Sequence, residues 1–577
     1  MMSEISSLAE KITVRKAVFI IFLVGFLVYF NALFNGFVWD DEEQIVKNTV
    51  IQSLTNFPQI LSGATFNSGG AGLSGWFFRP LFTFNYMFLY AIWGPNPFGF
   101  HLFQVIFHLL NGVLVFKILS QLLKRSKYSL LIAAIFATIY VVHAALNLAV
   151  VYIAALSEVT LTFFNLSAFY LMIKTLPQKP GIYRLSFWGL LLFCGMLIKE
   201  SSIVMLPIII TYLLIERFSN WRRWAIAAGV VFIFYFIVRL MVIQTPIRPL
   251  ELSLISEASL PQRLMTIPWE LSVYLGNFFY PARLAIAQHF VVKTFDIYNF
   301  WLPITFDLLM IVTGLVIAYK ARSKLILFGL LWFGLGFGLV SNIFPLDMTI
   351  GEAWMYFPYI GLIFAVAGTF DWLIKNRPKL LPISIIFFSL AIGALGIRTI
   401  IRNSNFYDNL TLFAHDVSIS PNSFDTENNL GVALFRQGDT QGAKVHFLKS
   451  LAIQPKWYFA LNNLGAVYER EGNWPEAKKL YEQVTLETDY YLSFENLAMI
   501  YLNHESTASA QEFASKTLKK LPQNPRLWIV LAIADYNLGQ TDKALQDAQN
   551  SYAISPSTEA LRLISLIKAN QPIPTGD

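Results

Sequence analysis

Two adjacent carboxylates, Asp40 and Asp41, follow the first long apolar run in the segment Trp39-Asp40-Asp41-Glu42-Glu43. A carboxylate at a membrane edge can hold an acceptor hydroxyl and take its proton. An adjacent pair can also ligate a divalent cation, and a solvated acidic loop start needs neither role. Arg79, in Phe77-Phe78-Arg79-Pro80-Leu81, is a guanidinium between aromatics. It could clamp a lipid-linked phosphate or simply reach the headgroups. Lys199-Glu200-Ser201-Ser202 offers a cation for a phosphate, or a local ion pair.

Polar groups at membrane depth are costly, which makes them functional candidates. His101, Gln104, His108 and Asn111 recur at i, i+3, i+7 and i+10, one stripe of a helix. Hydrogen-bonded packing between helices is the first reading of that stripe. His143 and Asn147 stand at a later break between apolar runs, and Glu158, Thr162 and Asn165 form a second stripe. Glu158 requires a partner that its neighbours in sequence do not supply. Glu352 opens the segment Gly351-Glu352-Ala353-Trp354-Met355-Tyr356-Phe357-Pro358.

The elements that must position these residues are membrane helices, each needing about 20 apolar residues. Apolar runs lie near 17–36, 98–122, 129–148, 150–173, 184–199, 202–216, 224–243, 300–319, 325–343, 354–374 and 380–400, about eleven spans. The first follows Lys11, Arg15 and Lys16, lacks a small-x-small cleavage site, and reads as a retained helix. The clusters Lys124/Arg125/Lys127, Lys174/Lys179/Arg184, Arg217/Arg222/Arg223, Lys320/Arg322/Lys324 and Lys375/Arg377/Lys379 fill alternate breaks. Placing them in the cytoplasm satisfies the positive-inside rule. The condition is that Pro80–Trp93 lies along the outer surface, with Trp76 and Trp93 in the interface. The N-terminus is then cytoplasmic, while loops 37–97 and 244–299 and everything after about 402 lie outside. Arg398 and Arg402 fit that last placement poorly.

Composition agrees with a membrane chain. Hydrophobic residues make up 55% and charged residues 14%, against roughly 25% charged in soluble domains. Mean hydropathy is +0.53. The net charge of +7 is no nucleic-acid footprint, because the basic residues sit in short clusters between apolar runs. Cys194 is the single cysteine, so there is neither a disulfide framework nor a CxxC site. After residue 402 the composition turns soluble, and a period of 33–34 residues appears. Leu430-Gly431, Gly438, Ala443, Phe447 and Pro455 are followed by Leu464-Gly465, Tyr468, Gly472, Ala477 and Tyr481. Leu497-Ala498, Tyr501, Ala510 and Pro522 come next, then Trp528, Leu531-Ala532, Gly539, Ala544 and Pro556. This is the tetratricopeptide (TPR) pattern, in which neighbouring repeats stack to bury their apolar faces. Residues 403–421, ending in Ser420-Pro421, read as half of a degenerate leading repeat.

Several segments together resemble the transmembrane and TPR-repeat-containing O-mannosyltransferase-like proteins of the GT-C glycosyltransferase superfamily. They are Phe34-Asn35-Gly36-Phe37-Val38-Trp39-Asp40-Asp41, Phe78-Arg79-Pro80-Leu81, Gly94-Pro95-Asn96-Pro97-Phe98-Gly99-Phe100-His101-Leu102, His108-Leu109-Leu110-Asn111, Lys199-Glu200-Ser201 and Tyr356-Phe357-Pro358. The resemblance covers nearly the whole chain. It implies a sugar moved, usually with inversion, from a polyprenyl phosphate lying in the membrane to an acceptor hydroxyl. It implies Asp40 as base, Asp41 as its orienter or the acceptor's, and Arg79 and Lys199 at the donor phosphate. His101, His143, Glu158, Glu200 and Glu352 become candidates to line the site. Relatives often carry His-Pro-x-His-x-Glu in the second outer loop, where this chain has His143-Ala144-Ala145-Leu146-Asn147-Leu148. Leu156 stands where an Arg is expected, and Glu352-Ala353 replaces Glu-Arg. Those departures leave two outcomes, a different donor or an inactive copy.

The sequence therefore predicts an all-α chain with a GT-C-like membrane domain over 1–402 and an extracytoplasmic TPR α-solenoid over 403–570. The repeats fall at about 424–457, 458–490, 491–524 and 525–557. The expected activity is transfer of a monosaccharide, mannose being the first candidate, from a polyprenyl-phosphate-linked sugar to a hydroxyl on a protein. The alternative is a membrane-anchored TPR scaffold without catalysis. No cofactor is assigned, and a divalent cation at the acidic pair stays open. Expected partners are the lipid-linked sugar, membrane lipid and a protein or peptide in the repeat groove, with no nucleic acid. Lean cysteine content and compact loops favour a prokaryotic cytoplasmic membrane.

Overall fold

The computed structural model describes residues 11–62, 77–176, 181–218, 221–243 and 253–573. Trp76 and Lys179, used above as an interface anchor and a topology charge, lie outside the described residues. The chain divides into two compact units; of the described residues, those up to Asn422 form the first and those from Ser423 the second.

The first unit is helical at every apolar run. Its long helices are α1 (Val14–Tyr29), α2 (Pro80–Trp93), α3 (Pro97–Leu122), α4 (Ser129–Val142), α5 (Leu156–Thr175), α6 (Ile182–Ile198), α7 (Met205–Glu216) and α8 (Trp221–Val242). They continue with α9 (Leu260–Phe279), α10 (Leu302–Ala321), α11 (Lys324–Gly338), α12 (Tyr359–Asn376), α13 (Leu381–Ser404) and α14 (Asn409–Ile419). Among the described residues, six helices are individually long and apolar enough to cross a membrane, and a seventh candidate is bent by 55° between Ser129–Val142 and Ala144–Val151. The runs near 190, 209, 333 and 365 are also helical but are too short or too polar for that test, which is where the expected count of about eleven and the observed helices part. The chain is an integral membrane protein.

Helix α2 has 14 residues, roughly 21 Å at 1.5 Å per residue, too short for a hydrocarbon core of about 30 Å. It ends where Gly94 takes φ +58°, a conformation that a side chain disfavours. Helix α9 lies within 244–299, where the sequence predicts an outer loop. Its capping box, Ser259 with Gln262, starts it. The one departure from all-α architecture among the described residues is a two-residue antiparallel pairing of Ala287–Gln288 with Ile350–Gly351. Helices α11 and α12 cross at Gly329 and Gly361, where a Cβ on either would stand 2.5 Å from the other's backbone. Small residues permit such close crossings in membranes.

The two compact units meet at Asn422/Ser423, so residues 403–421, expected as half of a leading repeat, group with the membrane unit. Asp416 of α14 pairs with Arg402 of α13 and accepts from the Ile286 amide, which ties this segment to the membrane helices.

The second unit stacks α15 (Phe424–Arg436), α16 (Thr440–Ile453), α17 (Tyr458–Arg470), α18 (Trp474–Glu487), α19 (Tyr491–Ile500), α20 (Thr507–Leu518), α21 (Pro525–Asn537), α22 (Thr541–Ile554) and a closing helix, α23 (Thr558–Lys568). Within three of the four pairs the turn uses a glycine at positive φ, Gly438, Gly472 and Gly539. The third pair lacks that glycine, and a π-turn over Tyr501–Glu505 takes its place. Gly431 and Gly465 let the paired helices close, since a Cβ there would stand 2.5 Å from Phe447 and 2.6 Å from Tyr481.

Candidate functional site

The acidic pair divides into two different environments. Asp41 is fully buried. Its Oδ2 accepts from the Val38 amide at 3.0 Å and its Oδ1 from the Ala154 amide at 2.7 Å. Burial pushes this carboxyl well above the usual carboxylate range, while those amides pull it back. Asp41 is thus a staple between the first loop and the turn that precedes α5. Asp40 points outward and is exposed. Its amide donates to the Tyr152 hydroxyl at 3.3 Å, and Tyr152 also hydrogen-bonds the Asp40 side chain.

Local backbone conformation turns the two carboxylates apart. Trp39 adopts φ +53°, a left-handed conformation that costs a non-glycine residue about 1–2 kcal/mol. Its ring stacks on Tyr152, with centroids 5.6 Å apart and planes at 17°, and meets Phe413 edge-on at 6.4 Å. Its amide donates to Asn409 Oδ1 at 2.7 Å. Backbone strain held by several contacts is characteristic of functional loops.

Helix α2 brings the basic group towards the same place. Tyr86 shares its one hydroxyl proton between the Ile153 carbonyl at 3.1 Å and Gln44 Oε1 at 3.3 Å, and it lies within electrostatic reach of Asp40, Asp41 and Arg79. Arg79, just before α2, forms a two-pronged pair with Glu200, Nε to Oε2 at 2.9 Å and Nη2 to Oε1 at 2.6 Å. Its guanidinium also covers the Phe77 ring at 4.1 Å. Burial raises the Glu200 carboxyl, but the Arg79 charge and hydrogen bonds outweigh it and hold the group at about 2. Lys199 pairs with Glu158, not with the adjacent Glu200 as a local ion pair would. The missing partner of Glu158 is therefore Lys199. Two cations and two carboxylates form one compact, charge-balanced cluster, with Tyr235 beside it.

Other candidates serve packing. His108 donates from Nε2 to the Val141 carbonyl at 2.8 Å, which leaves Nδ1 to accept from Tyr356 at 2.7 Å. Asn111 donates to the Val159 carbonyl and Gln104 to the Ala149 and Tyr152 carbonyls. His101 is buried against the Asn35-Gly36 backbone. His143 donates from Nε2 to the Phe278 carbonyl and accepts the Ala145 amide, fixing α9 and the turn after α4. Glu352 is buried 3.5 Å from Arg402, which also binds Asp416 at 3.1 Å. Burial pushes Glu352 up to about 8, against the pull of Arg402. Arg402 is thus an internal ion-pair residue, and Arg398 donates to the Pro281 and Ala282 carbonyls. Both guanidinium groups are thus occupied by groups within the protein.

The structure brings Asp40, Asp41, Tyr152, Tyr86, Arg79, Glu200, Lys199 and Glu158 into one neighbourhood and keeps His143 and Glu352 in separate structural networks. Sequence reasoning missed Tyr152, Tyr86 and Asn409. A tyrosine within the aliphatic run Ala149–Ala155 was the available signal for Tyr152. Among the described residues, no group of three His, Cys, Asp or Glu side chains converges as a metal site would require.

A family model of the tetratricopeptide repeat matches residues 422–485. The mouse protein O-mannosyl-transferase TMTC3 is 23% identical over 481 residues, covering 76% of this chain and 51% of that protein. The Caenorhabditis elegans protein O-mannosyl-transferase F38B6.6 is 24% identical over 457 residues, covering 76% of this chain and 63% of that one. The chain is a relative of these proteins. It spans about half the length of the curated TMTC3 relatives it matches. A solved structure of Pseudomonas aeruginosa pilF aligns at 20% identity over 32% of this chain and 83% of that one, with a TM-score of 0.25. The similarity to the TMTC-type proteins agrees with the resemblance drawn from the segments around Asp40, Arg79 and Lys199, and the repeat family agrees with the periodicity after residue 422.

Proposed function

We propose that the chain is a membrane glycosyltransferase that moves a monosaccharide, mannose in the first instance, from a polyprenyl-phosphate donor to a hydroxyl on a protein. The names of its relatives support the reaction class. The observation that carries the reading is the split within Asp40-Asp41. One carboxylate is sealed by backbone amides, while its neighbour is exposed and hydrogen-bonded by the Tyr152 side chain. Such a carboxylate can accept a proton from an acceptor hydroxyl. The acceptor oxygen forms the new bond to the anomeric carbon, the carbon–oxygen bond to phosphate breaks, and the phosphate monoester leaves with that electron pair. The leaving group needs positive charge more than a strong acid. Arg79 and Lys199 would supply it by exchanging or sharing Glu200 and Glu158 with the donor phosphate. The alternation of basic breaks supports an extracytoplasmic face for Asp40 and for the repeats, whose groove would present the acceptor.

One observation favours the second reading, a TPR scaffold without catalysis. Both candidate phosphate cations are already neutralised by carboxylates. Transfer of labelled mannose from polyprenyl phosphate by the purified full chain separates the two. The glycosyltransferase reading predicts transfer that falls by about 100-fold or more in Asp40→Asn, the scale of general-base catalysis. Absence of transfer from every polyprenyl-linked sugar would favour the scaffold.

A further inference from the structure

We propose that Asn409 is a positioning residue that sets the direction of the Asp40 carboxylate, and that the segment after α13 is the strut that carries it. The catalytic consequence rests on the glycosyltransferase reading above; the geometry does not. Four contacts run from this strut and the last turn of α13 to the stretch that ends at the acidic pair. Asn35 donates to the Asn403 carbonyl at 2.9 Å, and the Gly36 amide donates to the Tyr407 carbonyl at 3.0 Å. The Trp39 amide donates to Asn409 Oδ1 at 2.7 Å, and the Trp39 ring meets Phe413. Of the three hydrogen bonds, only the one to Asn409 is accepted by a strut side chain, and it falls on the residue held at φ +53°.

The strut is fixed at both ends. Asn403 donates to the Val28 carbonyl of α1 at 2.8 Å and to Asn31 at 2.7 Å. Asp416, further along α14, is held by Arg402 and by the Ile286 amide at 2.6 Å. Asp408 caps α14 by accepting from the Thr411 amide at 2.8 Å, which leaves Asn409 in the first turn with its carboxamide oxygen on Trp39. Asn409 touches neither Asp40 nor any group proposed to meet the donor. Its effect passes through the Trp39 backbone, because the residue that follows a left-handed one changes direction when that conformation relaxes.

The test combines two measurements on the full chain in detergent. Amide hydrogen exchange over residues 37–46 reads the loop without requiring activity. Mannosyl transfer from polyprenyl-phosphate mannose reads its consequence. Asn409→Leu removes the acceptor and should speed exchange over 37–46 while leaving the other membrane segments unchanged. It should lower kcat by about 10- to 100-fold, as a misplaced reacting group does, with the donor KM within about twofold of wild type. Asn409→Asp keeps an acceptor oxygen and should restore protection and at least about half of kcat. If Asn409→Leu does not fold, Asn409→Ser, too short to reach, takes its place with the same expectations. Faster exchange with no transfer even in the wild type supports the strut and sinks the enzyme reading. Unchanged exchange, unchanged kcat in an active enzyme, or no rescue by Asn409→Asp overturns the positioning role.

Discussion

The membrane unit and the repeat unit solve the burial of polar groups in opposite ways. In the repeats each solution recurs: Ser450 donates to the Phe424 carbonyl, and about a hundred residues later Ser551 donates to the Pro525 carbonyl. Asn463 donates to Asn428 in the preceding repeat, and Asn496 donates to Asn462 in the same way. In the membrane unit the buried acids are met by pairings that do not recur at a fixed spacing. Asp41 is sealed by amides, Glu158 by Lys199, Glu200 by Arg79, and Asp416 by Arg402 and the Ile286 amide. Repetition spreads stability over many equal contacts. Non-recurring pairs concentrate it, so their loss should be severe and local.

The largest effect should follow loss of Arg402. Arg402→Met leaves Asp416 buried without its cation, a defect that costs about 3–5 kcal/mol. Thermal unfolding in detergent should show the membrane unit failing first. An unchanged melting temperature would break the contrast drawn here. Next comes Gly465→Val, which forces a side chain into the space of the Tyr481 ring. Overpacking of this kind costs about 1–3 kcal/mol. Limited proteolysis should then cut within residues 458–490 and spare the membrane helices.

A smaller effect is tied to pH. Glu200 is held at about 2 in the folded chain against an ordinary 4.5. Its folded value is depressed, so its contribution is complete above 4.5 and is lost as pH falls from there towards 2. Glu200→Gln should flatten that part of the stability profile. A profile identical to wild type between pH 4.5 and 2 would show that the Arg79 pair carries no such linkage.

The same contrast explains what could be read in advance. Periodicity exposed the repeats because Gly431, Gly465 and their partners recur at fixed spacing. Basic clusters and apolar runs located the membrane helices, and the 14-residue length of α2 agrees with a helix that does not span. The polar stripe at Gln104, His108 and Asn111 is interhelical hydrogen bonding, the first reading given to it. Pairings between distant segments left no local trace. Glu158 with Lys199, Arg402 with Asp416 and Trp39 with Asn409 depend on which helices become neighbours. The helical character of 409–419 was visible, but its attachment to the membrane unit was not, since that depends on Ile286 and Arg402.

The central claim is that two neighbouring aspartates have separate duties, Asp41 holding the loop and Asp40 meeting the acceptor. Asp40→Asn and Asp41→Asn, compared in thermal unfolding and in mannosyl transfer, test it directly. Asp40→Asn should melt within about 1 °C of wild type, as a surface change does, yet lose transfer. Asp41→Asn should melt several degrees lower, since it puts an amide donor where only acceptors fit, costing about 1–3 kcal/mol. Equal melting temperatures for the two variants, with transfer intact in Asp40→Asn, would contradict the account.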